Sequence, residues 1–297
     1  IGLRAAYDRG YEPLAVSGLL FEMIVSALKE SPAPKGLNAT LQQVRLISDK
    51  WAGPKSSGEL FNAFVALNDA MIYKAAALPR VHSLYWGVTE RMINRPLVIA
   101  PQRLSKEEEA YFLTYVFNVS VEEARMDYMD IHGSRGTVTP GVVENYVQRI
   151  NSAATLFEKL DDAAPMKDFF HRMALSLRIH AGIMRSCGNF AAAQVIRDRN
   201  KEVLSGPVHL PDKETSFTGH PDFIFFNNIM RDELDNTTQL IQLLEQGGIK
   251  QVILAASPVY EDRFLLGPSI IDQLKKKRKI MLDHWQDIEG YLTSPFK

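Results

Sequence analysis

The sequence has almost no cysteine, almost no net charge and no long uninterrupted apolar run. Cys187 is the single cysteine in 297 residues, which excludes an internal disulfide and a cysteine-based zinc or iron–sulfur site. The formal net charge of −1 gives no overall attraction to nucleic acid. The longest apolar stretch, residues 14–28, is broken by Ser17, Glu22 and Ser26 and is typical of a core helix. We therefore expect a soluble protein with no nucleic-acid partner and no membrane span.

Linear catalytic and cofactor motifs are absent as well. The chain contains none of the patterns G-x-G-x-x-G, G-x-x-x-x-G-K-[ST], H-E-x-x-H, G-x-S-x-G or C-x-x-C. These absences argue against a nucleotide-phosphate cradle, a zinc protease and an α/β-hydrolase. The sequence accordingly predicts no bound cofactor and no metal.

What the sequence does contain is helical periodicity from end to end. Apolar residues form 46% of the chain and charged residues 23%, an ordinary balance for a globular protein. Apolar positions recur at helical spacing, so the pattern predicts an all-α protein with about eleven helices. Stacked antiparallel hairpins are the expected arrangement, with an incomplete α/α toroid or a solenoid as the overall shape. We expect one all-helical domain over residues 1–297, with two lobes divided near 95–104 as the alternative.

Caps, prolines and loops predict where several helices begin. Residues 105–108 and 120–123 each have the Ser-x-x-Glu spacing of a capping box. Thr139 and Pro140 predict an N-cap and the first residue of a helix. Residues 205–221 are rich in glycine and proline and form the longest predicted loop, ahead of a polar helix over about 222–246 that ends at Gly247-Gly248.

One segment is similar to a known turn. Gly188-Asn189-Phe190-Ala191-Ala192-Ala193 resembles the turn of a tetratricopeptide hairpin, with Leu177 and Ala181 at suitable positions upstream. The phrase occurs once, and no fixed-period repeat emerges. We interpret it as a single helical hairpin that turns at Gly188-Asn189.

The first polar cluster lies on a predicted helix. Glu123, Asp127 and Asp130 share one face because steps of four and three return to the same side of a helix, and His132 and Arg135 follow in a loop. The arrangement favours a general acid–base pair or an oxygen-ligand cation site. A solvated face with a charged cap at the helix end is the alternative.

The second cluster lies on a mostly apolar helix. His171, Arg178 and Arg185 are spaced by seven and therefore follow one stripe. Charged groups there need partners or a wet cavity. The stripe indicates a pocket for a carboxylate- or phosphate-bearing ligand, with ion pairs to acidic helices as the alternative.

The third cluster follows the long loop. His220 precedes a helix that carries Asn228, Arg231 and Asp232, an amide and carboxylate face suited to hydroxyl-rich ligands such as sugars. A solvated helix with internal ion pairs is the alternative. The basic run at residues 275–279 spreads over all faces of a helix, which predicts a solvated, salt-bridged surface rather than a nucleic-acid site.

Two functions fit these patterns. The first is a helical ligand-binding or interaction protein with a polar cleft, whose ligand is a sugar or a small anion. The second is a carbohydrate-active hydrolase or lyase of α/α-toroid type, with Asp127, Asp130 or Asp232 as acid or base. A metal-dependent enzyme using Asp130, His132 and His171 is a third hypothesis, which no ligand spacing supports. The start at Ile1 and the lone cysteine favour an extracytoplasmic location.

Overall fold

The structure is a computed structural model that describes residues 36–81, 93, 95–114, 134–161, 164–205, 219–249 and 270–293. Every regular element in these ranges is a helix and none is a strand, which confirms the all-α prediction. In chain order the α-helices are α1 (Leu37–Val81), α2 (Lys106–Thr114), α3 (Ser134–Glu158), α4 (Lys167–Arg199), α5 (Lys201–Leu204), α6 (Pro221–Gln246), α7 (Ile270–Asp283) and α8 (Asp287–Thr293). A 3₁₀ turn, Pro101–Arg103, precedes α2. Within the same ranges, no helix combines the length and apolarity that crossing a membrane would need.

The longer helices pack as a series of antiparallel neighbours in the order α1, α3, α4, α6 and α7. Residue numbers rise on one helix as they fall on the next. Between α3 and α4, Tyr146 meets His180 and Phe157 meets Phe170. α4 contributes buried side chains to every one of the three apolar clusters of the described core. α4 is therefore the central helix of the series, with α3 packed on one side and α6 on the other.

α1 is broken once, at Gly53, whose φ of 74° and ψ of 170° are not helical. Pro54 follows, and a proline ring disfavours the helical conformation of the residue before it. Glycine adopts a positive φ without steric cost, so this pair forms a kink that joins two helical parts of α1.

The predicted helix starts have different outcomes. The capping box at residues 105–108 is confirmed: the Ser105 amide donates to Glu108 Oε2 at 2.8 Å, and the Glu108 amide donates to Ser105 Oγ at 3.3 Å. The box at 120–123 lies outside the described residues. The start at Thr139 is wrong, because α3 begins at Ser134 and includes Pro140 in its second turn. The helix continues there without the backbone hydrogen bond that proline cannot donate.

The predicted turn at Gly188-Asn189 is also wrong, because α4 runs unbroken for 33 residues. Gly188 allows close packing with α3, since a Cβ there would lie 3.2 Å from Cγ1 of Val143. Asn189 uses its side-chain amide to bond two carboxylates of α6. Both residues meet needs of helix packing, which local turn propensity does not reveal.

Two non-helical segments make specific hydrogen bonds to helices: residues 219–220 at the end of the long loop, and residues 97–100 before α2. Nδ1 of His220 accepts the Asp222 amide at 3.3 Å and caps α6, which then extends to Gln246 as predicted. Residues 97–100 are buried and non-helical, and Nη1 of the buried Arg197 donates to the Val98 carbonyl at 2.9 Å. Arg197 therefore anchors this irregular segment to α4.

A substitution at the α4–α6 contact tests this packing. A Cβ added at Gly182 would lie 2.6 Å from Cδ2 and 2.9 Å from Cγ of Leu240, a buried side chain with little room to move. We expect Gly182→Ala to lower the free energy of unfolding by about 1–3 kcal/mol, measured by denaturant titration.

Gly58→Ala is the matched control, since Gly58 is exposed within α1 and a Cβ there meets nothing within 4 Å. It should be neutral or stabilising by up to about 1 kcal/mol. Equal losses in the two variants would contradict the close α4–α6 contact.

Candidate functional site

A polar groove follows α4 between α3 and α6. It consists of two adjoining cavities of about 350 and 490 Å³, whose walls share Val147, Asn151 and Arg185. We call the two cavities together the central groove. Side-chain amides dominate its polar lining: Asn151, Asn189, Asn228, Asn236, Gln148, Gln239, Gln242 and Gln246. Such a lining offers hydrogen-bond donors and acceptors together.

Arg178 lies at one end of the central groove and is held by α3. Its Nε and Nη2 donate to the two carboxylate oxygens of Glu158 at 3.0 and 2.8 Å. Asn151 and Thr155 accept two further bonds, at 2.9 and 2.8 Å. The hydrogen bond to Glu158 raises the pKa of Arg178. The arginine is therefore charged, and its charge is compensated within the protein.

Arg185 lies in the middle of the central groove and pairs with Asp232 of α6. Nε donates to Oδ2 at 2.8 Å, and Nη2 donates to Oδ1. The hydrogen bond to Asp232 raises the pKa of Arg185. Nδ2 of Asn189 donates to the same Oδ2 at 2.9 Å. Both oxygens of Asp232 thus accept hydrogen bonds.

Behind this pair lies a fully buried ion pair between Glu233 of α6 and Lys277 of α7, each with 0% of its side chain exposed. Ser186 and Asn189 donate to the two oxygens of Glu233 at 2.6 and 2.8 Å. Nζ of Lys277 also donates to the Ile93 carbonyl at 2.6 Å. Burial lowers the pKa of Lys277, and the charge of Glu233 opposes that effect. The ion pair joins α4, α6 and α7.

This burial corrects one prediction. Lys275 and Lys279 form exposed ion pairs with Glu245 and Asp283, as expected for a solvated basic run. Lys277 does not, because it shares a stripe with the buried Leu274 and Met281 at helical spacing. That spacing was the sequence signal for its burial.

The predicted site residues fall into three groups. Arg178, Arg185, Asn228 and Asp232 line the central groove. Three others lie elsewhere: His171 is exposed on α4, His220 caps α6, and Arg231 lies 5.6 Å over the ring of Trp285. Asp127, Asp130 and His132 lie outside the described residues. Sequence reasoning missed the linking role of Asn189 and Glu233, which depends on partners on other helices.

Among the residues that the structure describes, no group of three or more histidine, cysteine, aspartate or glutamate side chains is arranged to hold a metal ion. The described part of the site is built from hydrogen-bonding amides, two arginines with carboxylate partners and the exposed carboxylate of Glu144.

Replacing one member of the Glu233–Lys277 pair tests how much the pair stabilises the fold. Lys277→Met leaves the Glu233 charge buried, and Glu233→Gln leaves the Lys277 charge buried. We expect each variant to lower the free energy of unfolding by about 3–5 kcal/mol. The double variant should lose clearly less than the sum, because it removes both charges.

Lys275→Met is the control in the same helix, and we expect a change within about 1 kcal/mol because its ion pair is exposed. Denaturant titration of all four variants measures the coupling. Additive losses in the double variant would show that the two charges do not interact in the core.

Comparisons with known proteins give no relative. No family model matches the sequence, and no curated protein or solved structure matches the chain.

Proposed function

We propose that the protein is a helical ligand-binding protein whose central groove takes a neutral, hydroxyl-rich ligand such as a sugar. The observation that carries the proposal is the combination of an amide lining with arginines that already have carboxylate partners.

Charge balance favours a neutral ligand over a small anion. Arg178 is paired with Glu158, and Arg185 is paired with Asp232. An anion would compete with these internal carboxylates for the same donors. A hydroxyl group donates and accepts at once, so it can bond amides and paired charges without displacing a partner.

Donors remain in the middle of the groove. A guanidinium has five N–H donors, and Arg185 gives two of its own to Asp232. Arg185 lines both cavities, so its remaining donors are available to a ligand that extends along the groove. The exposed Asn228 and Gln242 supply amides on the α6 wall.

The size of the groove supports the same proposal. Its two parts, at about 350 and 490 Å³, are in the range of small-molecule sites. We propose further that the whole chain forms stacked antiparallel hairpins of about eleven helices, arranged as a solenoid or incomplete toroid with the groove on its concave face.

The hydrogen bonds of Asp232 favour binding over acid catalysis in this groove. Both of its carboxylate oxygens accept hydrogen bonds, from Arg185 and Asn189.

A thermal-shift screen tests the function. The panel contains neutral mono- and oligosaccharides, uronates and inorganic phosphate. We expect at least one neutral saccharide to raise the melting temperature, since a ligand at a hundred times its Kd stabilises the native state by about 2.7 kcal/mol. Phosphate should give no stabilisation.

Paired variants then locate the site. Gln242→Ala and Asn228→Ala remove groove amides and should weaken binding about tenfold through the loss of a ligand hydrogen bond. Gln286→Ala and Asn145→Ala are the controls, because these residues are exposed and lie outside the groove lining. The proposal fails if no saccharide stabilises the protein, or if the control variants weaken binding as much as the groove variants.

A further inference from the structure

The turn between α7 and α8 holds a histidine between two carboxylates. Nδ1 of His284 lies 2.7 Å from Oδ2 of Asp287, the first residue of α8. Nε2 lies 3.1 Å from Oε2 of Glu108, in the first turn of α2. The imidazole ring therefore connects α2 to the α7–α8 turn.

This geometry needs a charged ring. A neutral imidazole carries one N–H and can donate one hydrogen bond, whereas an imidazolium donates from both nitrogens. Both nitrogens of His284 face carboxylate oxygens, which only accept. Glu108 stays ionised: burial alone would raise its pKa, but hydrogen bonds from the Ser105 amide and from His284 outweigh burial and lower it.

Charged groups of the 3₁₀ turn, α2, α6 and α7 lie near this cluster. Burial raises the pKa of Tyr291 in α8, which also responds to the charges of Arg103 and Asp287. Arg103 donates to Asp287 at 2.7 Å. Glu107 of α2 pairs with Lys276 of α7, Lys279 of α7 pairs with Asp283, and Arg231 of α6 lies over Trp285. Burial alone would lower the pKa of His284, but its hydrogen bonds to Asp287 and Glu108 outweigh burial and raise it above 6.5.

We propose that protonated His284 is a pH-responsive latch that holds α2 on the α7–α8 turn and releases it when the imidazolium loses its proton. The neutral ring keeps the shorter bond to Asp287, which lies in the same turn. The lone pair on Nε2 then faces the Glu108 carboxylate and repels it. α2 retains the Tyr111 hydroxyl bond to the Gln273 carbonyl and the Glu107–Lys276 pair, so the release is local.

The sign of the pH dependence follows from the direction of the shift. The folded pKa of His284 is raised above the unfolded value, so its stabilisation is fully present below about pH 6.5 and is lost as the pH rises through the folded pKa. The buried His180 differs, since desolvation lowers its pKa to about 3. Folded His180 therefore stays neutral both at about pH 6 and at about pH 8.

Hydrogen exchange on the full chain tests the latch at about pH 6 and about pH 8, with rates corrected for intrinsic exchange. Amides of α2 should exchange about tenfold faster at the higher pH, through the loss of one charge-assisted hydrogen bond, while those of α4 should not. In His284→Gln the exchange of α2 should be fast at both pH values. His171→Gln, an exposed histidine of α4, should behave as the wild type.

A proton NMR titration of the wild-type ring gives a second readout that does not depend on how the variants fold. The pKa of His284 should lie above 6.5, and Glu108→Gln should lower it. A wild-type pKa at or below 6.5 overturns the proposal. Equal protection of α2 at the two pH values overturns it too, as does a pH response that survives His284→Gln.

Discussion

The arrangement of the described core depends on the buried ion pair between Glu233 and Lys277. Two charges that are removed from water are stable only when their remaining hydrogen-bonding positions are filled. Ser186, Asn189 and the Ile93 carbonyl supply those bonds. Because these partners come from several parts of the chain, the pair fixes α4, α6 and α7 relative to one another. A shift of any of these helices would leave a buried charge without its partner.

The same ion pair determines how the central groove is built. Asn189 donates to Glu233 in the core and to Asp232 at the groove, so one amide connects the two sites. Asp232 in turn orients Arg185. Hydrogen bonds to the core therefore fix the positions of these polar groups in the groove. Groups that are preorganised in this way would bind the proposed ligand at a low cost in conformational entropy.

The sequence predicted those features that depend on local signals. The all-α class follows from periodicity, and the capping box at 105–108 and the extent of α6 follow from caps and glycines. Gly188-Asn189 was misread because its residues serve contacts with Val143 and with carboxylates of α6, far away in the sequence. The burial of Lys277 was signalled by its helical spacing with Leu274 and Met281 and was overlooked within a basic run, whereas its partner Glu233, 44 residues away, depends on tertiary structure. Arg185 and Asp232 were predicted as site residues, but their pairing with each other depends on tertiary structure.

Lysine footprinting with an amine-reactive reagent, read by mass spectrometry, tests the buried pair most directly. The side chains of Lys275, Lys276 and Lys279 are 54%, 41% and 75% exposed, while that of Lys277 is fully buried. We expect the three neighbours to react in the native protein and Lys277 to react only when denaturant unfolds the chain. Modification of native Lys277 at the rate of Lys275 would contradict the buried ion pair and the helix arrangement that depends on it.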